Sequence, residues 1–557
     1  MMPEGRETES ANVARFLPRA AQRQPEDIAA RIPRGRRLDG TIRYHSLTFA
    51  QLNADSDACA RLLQEVGIKR ATRVLVMVRP GLDLLLTCFA LFKIGAIPIV
   101  IDPGMKMRAF LGCVRKSQPD AMVGIRLAHV LARLRPKAFR SIGSKVMTGT
   151  KRFRNDLTRL QSDELFDPAN VKSNELAAIL FTSGSTGPPK GVRYEHGMLD
   201  AQVRLVRDRY GMCRGEVDLT TLPIFGLFNP ALGMTTVVPE LNPSHPARAN
   251  PVKLVQAIRE RKVTNAFGSP TLWRKIADHC SANQLRLPTL RRILIAGASA
   301  SPSLLIRLQR VLPNASIHVP YGATEALPVA SATADQILAG PARLTAQGKG
   351  TCLGRPLPEV EIRILPITDG AIEFLKQNDV LGSGVIGEIT VSGPIVTKAY
   401  DNNAEANDLH KVEDREKGVV WHRMGDLGYL AEDGRLWFCG RKAEYVETKE
   451  GPLYTEQVEP IFEEHVEVRR SALIGLGTKP IREGAIVIEP EPGAYPKTAQ
   501  AKAYFREELL AKASAFPHLR NIRQLFFRRK FPVDSRHNAK IHRLALAREY
   551  TVRQGLS

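Results

Sequence analysis

Seven cysteines are scattered along the 557 residues, at positions 59, 88, 113, 213, 280, 352 and 439, and none forms a C-x-x-C pair. That spacing excludes a disulfide framework and a zinc finger or ribbon, and it makes the reducing cytoplasm the expected compartment. Aromatic residues make up 6% of the chain and do not interleave with its basic stretches. Without a zinc finger or a recognition-helix pattern, nucleic acid is not the expected partner. Internal repeats and low-complexity tracts are also missing. The longest apolar run, Leu84 to Ile101, is broken by Lys93, Gly95 and Pro98. It reads as a helix followed by a strand, not as a transmembrane segment. The first residues, Met1-Met2-Pro3-Glu4-Gly5-Arg6, contain no apolar h-region, so no secretion signal is expected.

Acidic residues are the other shortage. There are 57 Asp and Glu against 80 Lys and Arg, a net charge of +23. The excess is local: residues 115–159 hold twelve basic and two acidic side chains, and a second basic stretch covers 506–553. An electrostatic funnel for anionic substrates, a surface for acidic partners, peripheral contact with an anionic membrane and a merely solvated basic face all remain open readings. What is abundant is ordinary for a folded chain, at 43% hydrophobic and 25% charged residues. The length allows two to four domains with a large core.

The stretch Leu176–Gly191 carries the first chemistry. Six apolar residues, Leu176 to Phe181, predict a short buried strand. The strand runs into Thr182-Ser183-Gly184-Ser185-Thr186-Gly187, then Pro188-Pro189-Lys190-Gly191. Glycines let backbone N–H groups converge, hydroxyls add donors and Lys190 adds charge, a combination suited to phosphate oxygens. It is not a Walker loop, because Pro189 precedes the lysine, Gly191 follows it, and paired prolines oppose an immediate helix.

Residues 41–110 alternate helix and strand patterns: a helix capped by Thr48, a strand from Arg73, a helix over 82–93 and a buried strand over 97–101. This is βαβ logic with a parallel sheet. The basic region to about 165 is poorly patterned, with one helix predicted over 127–134. After the loop come a helix over 198–210, a strand over 219–223 and the apolar segment Ile224 to Met234, with Phe225, Gly226 and Phe228, which reads equally as a substrate-pocket wall or an ordinary core loop. Strands at 265–270 and 290–295 follow, the second ending at Gly297-Ala298, and 317–320 leads into Tyr321-Gly322-Ala323-Thr324-Glu325. From about 354 short strands predict a β-rich part reaching residue 440, and 441–557 reads as a small α+β unit. Gly382-Ser-Gly-Val-Ile-Gly387 matches G-x-G-x-x-G, but it leads into a strand and is read as a turn.

The hydroxyl-rich loop, Tyr321-Gly-x-Thr-Glu325, Trp421-His-Arg-Met-Gly-Asp426, Gly440-Arg441 and the late Lys540 occur in that order. This ordered set resembles the adenylate-forming superfamily over about residues 40–545. The resemblance implies an α/β fold: a large N-terminal adenylate-forming domain (1–440, parallel sheets plus a β-rich subdomain) and a small mobile C-terminal lid (441–557). It implies ATP and Mg²⁺ as cofactors. Thr182, Ser183, Gly184, Ser185, Thr186, Gly187 and Lys190 would hold the β- and γ-phosphates, and Glu325 would bind the metal. Thr324 would touch the α-phosphate, and Tyr321 and Gly322 would face adenine opposite Gly297 and Ala298. Asp426 would hold the ribose hydroxyls, Arg441 would lie beside the ribose and the hinge, and Lys540 would bridge carboxylate and α-phosphate. Phe225, Gly226 and Phe228 would line the acyl pocket.

Several positions depart from the superfamily pattern: Met424 stands where Thr is frequent, Gly226 where many acyl-CoA ligases carry His, Ala443 where the hinge is acidic, and Ala539 where Gly precedes the lysine. These leave adenylation intact and count against ordinary thioester formation. The segments Leu222–Pro230 and Gly440–Glu444 resemble the branch that makes β-lactones in bacterial long-chain olefin biosynthesis. That resemblance implies adenylation of a long-chain 2-alkyl-3-hydroxyalkanoic acid, displacement of AMP by its own 3-hydroxyl, and association with other enzymes of an olefin-forming assembly. A long-chain acyl-CoA or acyl-AMP ligase is the alternative.

Overall fold

The apolar runs at Arg73–Met77, Ile97–Ile101 and Ala121–Gly124 become neighbouring parallel strands. In this computed structural model, which describes residues 10–181, 188–222, 226–242, 246–534 and 540–556, they form the middle of a six-stranded sheet. Leu176–Phe181 joins that sheet parallel to Ile97–Ile101, and Gly191–Glu195 returns antiparallel at its edge. Burial on both faces explains why these strands read as unbroken hydrophobic runs. Thr48 caps the helix Phe49–Glu65 through a capping box with Gln51, as its sequence predicts.

A second, longer sheet begins at the antiparallel pair Ile42–Thr48 and Ile28–Arg36 and continues as parallel strands at Thr235–Val237, Val217–Leu219, Asn265–Gly268, Arg292–Ile295 and Ser316–Ala323. The helices that return the chain, Pro251–Arg261, Pro270–Ala282 and Pro302–Val311, each begin with proline in the first turn. A side-chain cap from Asn250, Ser269 or Ser301 precedes each one. The strand expected over 219–223 is Val217–Leu219, because the pattern turns polar at Thr220 and the chain bends there.

The β-rich stretch does not form a sheet of its own. Ser316–Ala323 turns back as Ala326–Thr333, and antiparallel ladders continue through Thr351–Pro356, Leu436–Arg441, Val419–Leu430, Gly387–Ser392 and Glu361–Leu365. Gly322 is needed at this turn, since a Cβ there would sit 2.5 Å from the Ala326 carbonyl oxygen. The Gly382–Gly387 segment is a turn leading into Gly387–Ser392.

The basic region holds more structure than its pattern suggests: helices Met107–Ser117, Arg126–Leu134 and Lys151–Arg159 alternate with the strands Ala121–Gly124 and Ser144–Met147. Each helix buries only two to four side chains, so charged residues dominate its sequence. At the C-terminus, Val468–Leu476, Glu483–Pro490 and Gln524–Phe527 form a three-stranded sheet packed by Thr455–Glu463, Ala499–Ser514 and Arg543–Arg553. No helix among the described residues is long and apolar enough to cross a membrane.

Lys93 is completely buried between Leu82–Ile94 and Phe49–Glu65. Its ammonium pairs with Asp57 and donates to Ser56 Oγ at 2.7 Å and Asn53 Oδ1 at 2.9 Å. Removing the carboxylate leaves a buried cation without its counter-charge. Asp57→Ala is therefore expected to cost about 3–5 kcal/mol of stability, measured by denaturant unfolding, with Lys93→Met milder.

Candidate active site

The motifs converge where the two large sheets present adjoining ends. The strand ending at Phe181 and the strand beginning at Gly191 flank the phosphate loop, and the Phe181 ring lies over Gly191, where a Cβ would come within 2.6 Å of it. Thr182 to Gly187 themselves lie outside the described residues. Tyr194, on the strand Gly191–Glu195, donates its hydroxyl to the Thr324 carbonyl, tying the strand to the Tyr321–Glu325 turn.

Residues 396–401 complete this end of the site by backbone contacts. Val396 bridges Ala326, Thr397 N–H donates to the Glu325 carbonyl at 2.9 Å, Tyr400 bridges Val192, and Asp401 N–H donates to the Gly191 carbonyl at 2.7 Å. Lys190, Glu325 and Tyr400 are thereby brought together. Tyr400 donates to Glu325 Oε1 at 2.7 Å, and its ring lies 5.1 Å from Lys190 Nζ and 5.2 Å from Lys411 Nζ. Lys190 Nζ also donates to His410 Nε2 at 2.6 Å. Burial lowers the Lys190 pKa against the pull of Glu325. Burial, opposed by Glu325 and reinforced by Lys190, brings Lys411 down to about 7. The same burial and the Lys190 charge hold His410 at about 4, so it is a neutral acceptor.

At the other end, Asp426 is buried and receives the Tyr321 hydroxyl at 2.6 Å on Oδ2, with Arg441 Nη1 2.7 Å from Oδ1. Asp426 and Arg441 are cross-strand partners, and Gly425, at φ +66°, swings the chain so that the carboxylate faces Tyr321. Burial raises the Asp426 pKa, while Arg441, Tyr321 and Lys540 pull it back. Lys540 thus acts on the Asp426 carboxylate from the C-terminal sheet domain. The flanking residues 535–539 lie outside the described residues. The Gly297-Ala298 turn, with Gly297 at φ +95°, closes the strand adjacent to Ser316–Ala323, and so lies beside Tyr321.

Arg423 anchors this side. It is 1% exposed, holds Glu388 Oε2 at 2.6 Å and donates to the Gly370 and Leu409 carbonyls. This fixes the strand carrying Asp426 and the end of the helix Ala404–His410 at once. Burial and the Lys411 charge keep His422 far below its usual pKa.

Of the expected pocket wall, Phe225 lies outside the described residues. Gly226 lines a narrow apolar cleft with Gly81, Leu84, Leu85, Thr220 and Thr236, and a Cβ on it would press within 3.3 Å of Thr220. Phe228 packs against the core around Tyr194 and Met198, outside that cleft's lining. Sequence reasoning missed Tyr194, Tyr400, His410 and Lys411, which no spacing marks. His422 stood inside the quoted Trp421–Asp426 motif.

A family model described as AMP-binding enzyme matches residues 17–401. The chain belongs to this adenylate-forming family. It is 43% identical over 98% of its length to an olefin beta-lactone synthetase from Xanthomonas campestris pv. campestris, covering 98% of that protein. It is 42% identical to the olefin beta-lactone synthetase of Stenotrophomonas maltophilia, over 96% of this chain and 97% of that one. Among solved structures, the amide bond synthetase McbA from Marinactinospora thermotolerans superposes with a TM-score of 0.76 at 22% identity, covering 97% of this chain and 100% of McbA, a likeness of fold. The large N-terminal and smaller C-terminal domains are those of adenylate-forming enzymes.

Arg543, three residues after Lys540, is the bolt of the C-terminal domain. It donates twice to Glu459, at 2.6 Å each, and to Glu444 at 3.0 Å, just past the Gly440-Arg441 segment. Although burial alone lowers its pKa, Glu459 and Glu444 raise it. Arg543→Met leaves two buried carboxylates unpaired. It is expected to cost about 3–5 kcal/mol, seen as a lowered melting temperature that Arg543→Lys partly restores.

Proposed function

We propose that this protein adenylates a long-chain 2-alkyl-3-hydroxyalkanoic acid with ATP and closes it to a β-lactone, releasing pyrophosphate and then AMP. Near-full-length likeness to two olefin beta-lactone synthetases supports the overall reaction. The observation that carries the first step is the meeting of Lys190, Glu325, Asp426, Arg441 and Lys540 around one site.

Bringing a carboxylate to the α-phosphorus of ATP sets two anions against each other, so the site must supply positive charge and donors. In this reading Lys190 and the Thr182–Gly187 loop hold the β- and γ-phosphates. Asp426 exchanges its Tyr321 and Arg441 contacts for the ribose hydroxyls, and the freed Tyr321 ring stacks on adenine opposite Gly297-Ala298. Lys540 spans the acyl carboxylate and the α-phosphate, next to Thr324. The residues also fit Mg²⁺: Glu325 offers a hard carboxylate oxygen held in place by Tyr400, and no cluster of three or more metal-ligating side chains competes for an ion among the described residues. Mg²⁺ bound there supplies charge neutralisation for the phosphates.

In the first step a carboxylate oxygen forms a bond to the α-phosphorus and the bond to pyrophosphate breaks. In the second the 3-hydroxyl oxygen attacks the acyl carbon, loses its proton, and the bond to AMP breaks. Holding nucleophile and acyl carbon in one bound molecule gives the proximity advantage that a four-membered closure requires. The acyl chain enters by the narrow apolar cleft that Gly226 lines, where a larger residue would press on Thr220 and Thr236. Seven free cysteines accord with a cytoplasmic enzyme, and work beside other enzymes of an olefin-forming assembly is part of this reading.

Incubation with ATP, Mg²⁺ and a branched 3-hydroxy acid is expected to give a product 18 Da lighter than the acid (about one water lost on lactone closure), with or without CoA. A thioester that forms only with CoA overturns the lactone step. ATP–pyrophosphate exchange is expected to fall about 10²-fold or more in Lys540→Ala and Glu325→Ala. Exchange unchanged in both variants overturns the assignment of these residues.

A further inference from the structure

The phosphate end holds more positive charge than Lys190 and a Glu325-bound metal account for. Lys411 starts the strand Lys411–Asp414 and sits beside Tyr400, as does Lys190, which immediately precedes the strand Gly191–Glu195. Its ammonium donates to the Thr397 carbonyl and to Thr397 Oγ1 at 2.9 Å, on the same segment that bonds to the Glu325 backbone. Two of its three donors are thus fixed, which aims the group and leaves one for a ligand. The two ammonium groups lie at nearly equal distances, 5.1 and 5.2 Å, from the centre of one ring, and that ring's hydroxyl holds Glu325. The carboxylates acting on Lys190 are Glu325 and Glu405. His410 and His422 line the back as neutral rings, 6.1 and 6.4 Å from Tyr400.

Gathering two ammonium groups in a partly desolvated pocket is unfavourable unless an anion joins them. A structural lysine needs no second lysine facing the same ring. Glu325 is committed to Tyr400 on one oxygen, and Glu405, the other carboxylate acting on Lys190, is exposed, so a single partly buried carboxylate faces the two ammonium groups. The geometry points to Lys411 as a second ammonium ligand, gathered with Lys190 at the Tyr400 ring, for the β- and γ-phosphates of the nucleotide and for the released pyrophosphate. Lys190 arrives on the loop side and Lys411 on the β-rich side, so the polyphosphate is held between the two sheets. This rests on the adenylation reading and adds to it a residue outside its motifs. It also gives Tyr400 a part: its ring gathers the two cations, and its hydroxyl orients the Glu325 carboxylate.

The test measures equilibrium binding of inorganic pyrophosphate and of AMP, both with Mg²⁺, to the full-length protein. Lys411→Met is expected to weaken pyrophosphate binding about tenfold or more, the loss of a charge-assisted contact, and to leave AMP binding within about twofold. Lys411→Arg is expected to keep most of the pyrophosphate affinity. Melting temperatures of both variants establish that they are folded. Unchanged pyrophosphate affinity in a folded Lys411→Met, or equal loss of AMP and pyrophosphate, overturns the inference. Wild-type protein that binds AMP but not pyrophosphate also overturns it while adenylation stands. Wild type that binds neither overturns the adenylation reading itself.

Discussion

A carboxylate buried in a sheet must be compensated, and the compensation of Asp426 organises the whole site. Its partners come from four parts of the chain: Tyr321 from the end of the parallel sheet, Arg441 from the strand leading to the C-terminal domain, Lys540 from that domain, and its own strand rooted by Arg423 on Glu388. Desolvating the charge makes each contact worth more than it would be in water. The Lys540 charge lowers the Asp426 pKa, so the C-terminal part of the chain contributes to the electrostatics of this buried carboxylate.

The phosphate end follows a different rule. There, backbone bridges from residues 396–401 to the strand after the loop and to the Glu325 turn do the positioning, and side chains are carried along. Tyr194 on the Thr324 carbonyl and Tyr400 on Glu325 connect the two sheets with neutral hydroxyls. Cations then line the space between them. Ammonium groups gathered at one end and a buried carboxylate at the other give the site an electrical polarity along its length.

The Arg423–Glu388–Lys442 cluster shows how distant residues support this arrangement. Glu388 Oε2 takes both cations, and Arg423 reaches the Leu409 carbonyl, one residue before His410 and two before Lys411. The strand that presents Asp426 and the junction of the helix Ala404–His410 with the strand that begins at Lys411 therefore share an anchor. Arg543 does the same for the C-terminal domain, holding Glu444 near the hinge and Glu459 in the domain core while Lys540 projects from the adjoining turn.

Local patterning determined a good part of this protein. The strand Leu176–Phe181, the capped helix after Thr48, the turn at Gly382–Gly387 and the ordered motifs ending in Lys540 all follow from residues close together in the chain, where hydrophobic period, caps and glycines act directly. In the basic region the helix Arg126–Leu134 was legible, whereas Met107–Ser117 and Lys151–Arg159, which bury only four and two side chains, were not. The continuous antiparallel extension of the parallel sheet, the clamp of residues 396–401, and the meeting of Lys190 with His410, Tyr400 and Lys411 were decided by tertiary structure alone. These contacts join residues some 200 positions apart through backbone hydrogen bonds and desolvated charges, and neither leaves a mark on the local pattern.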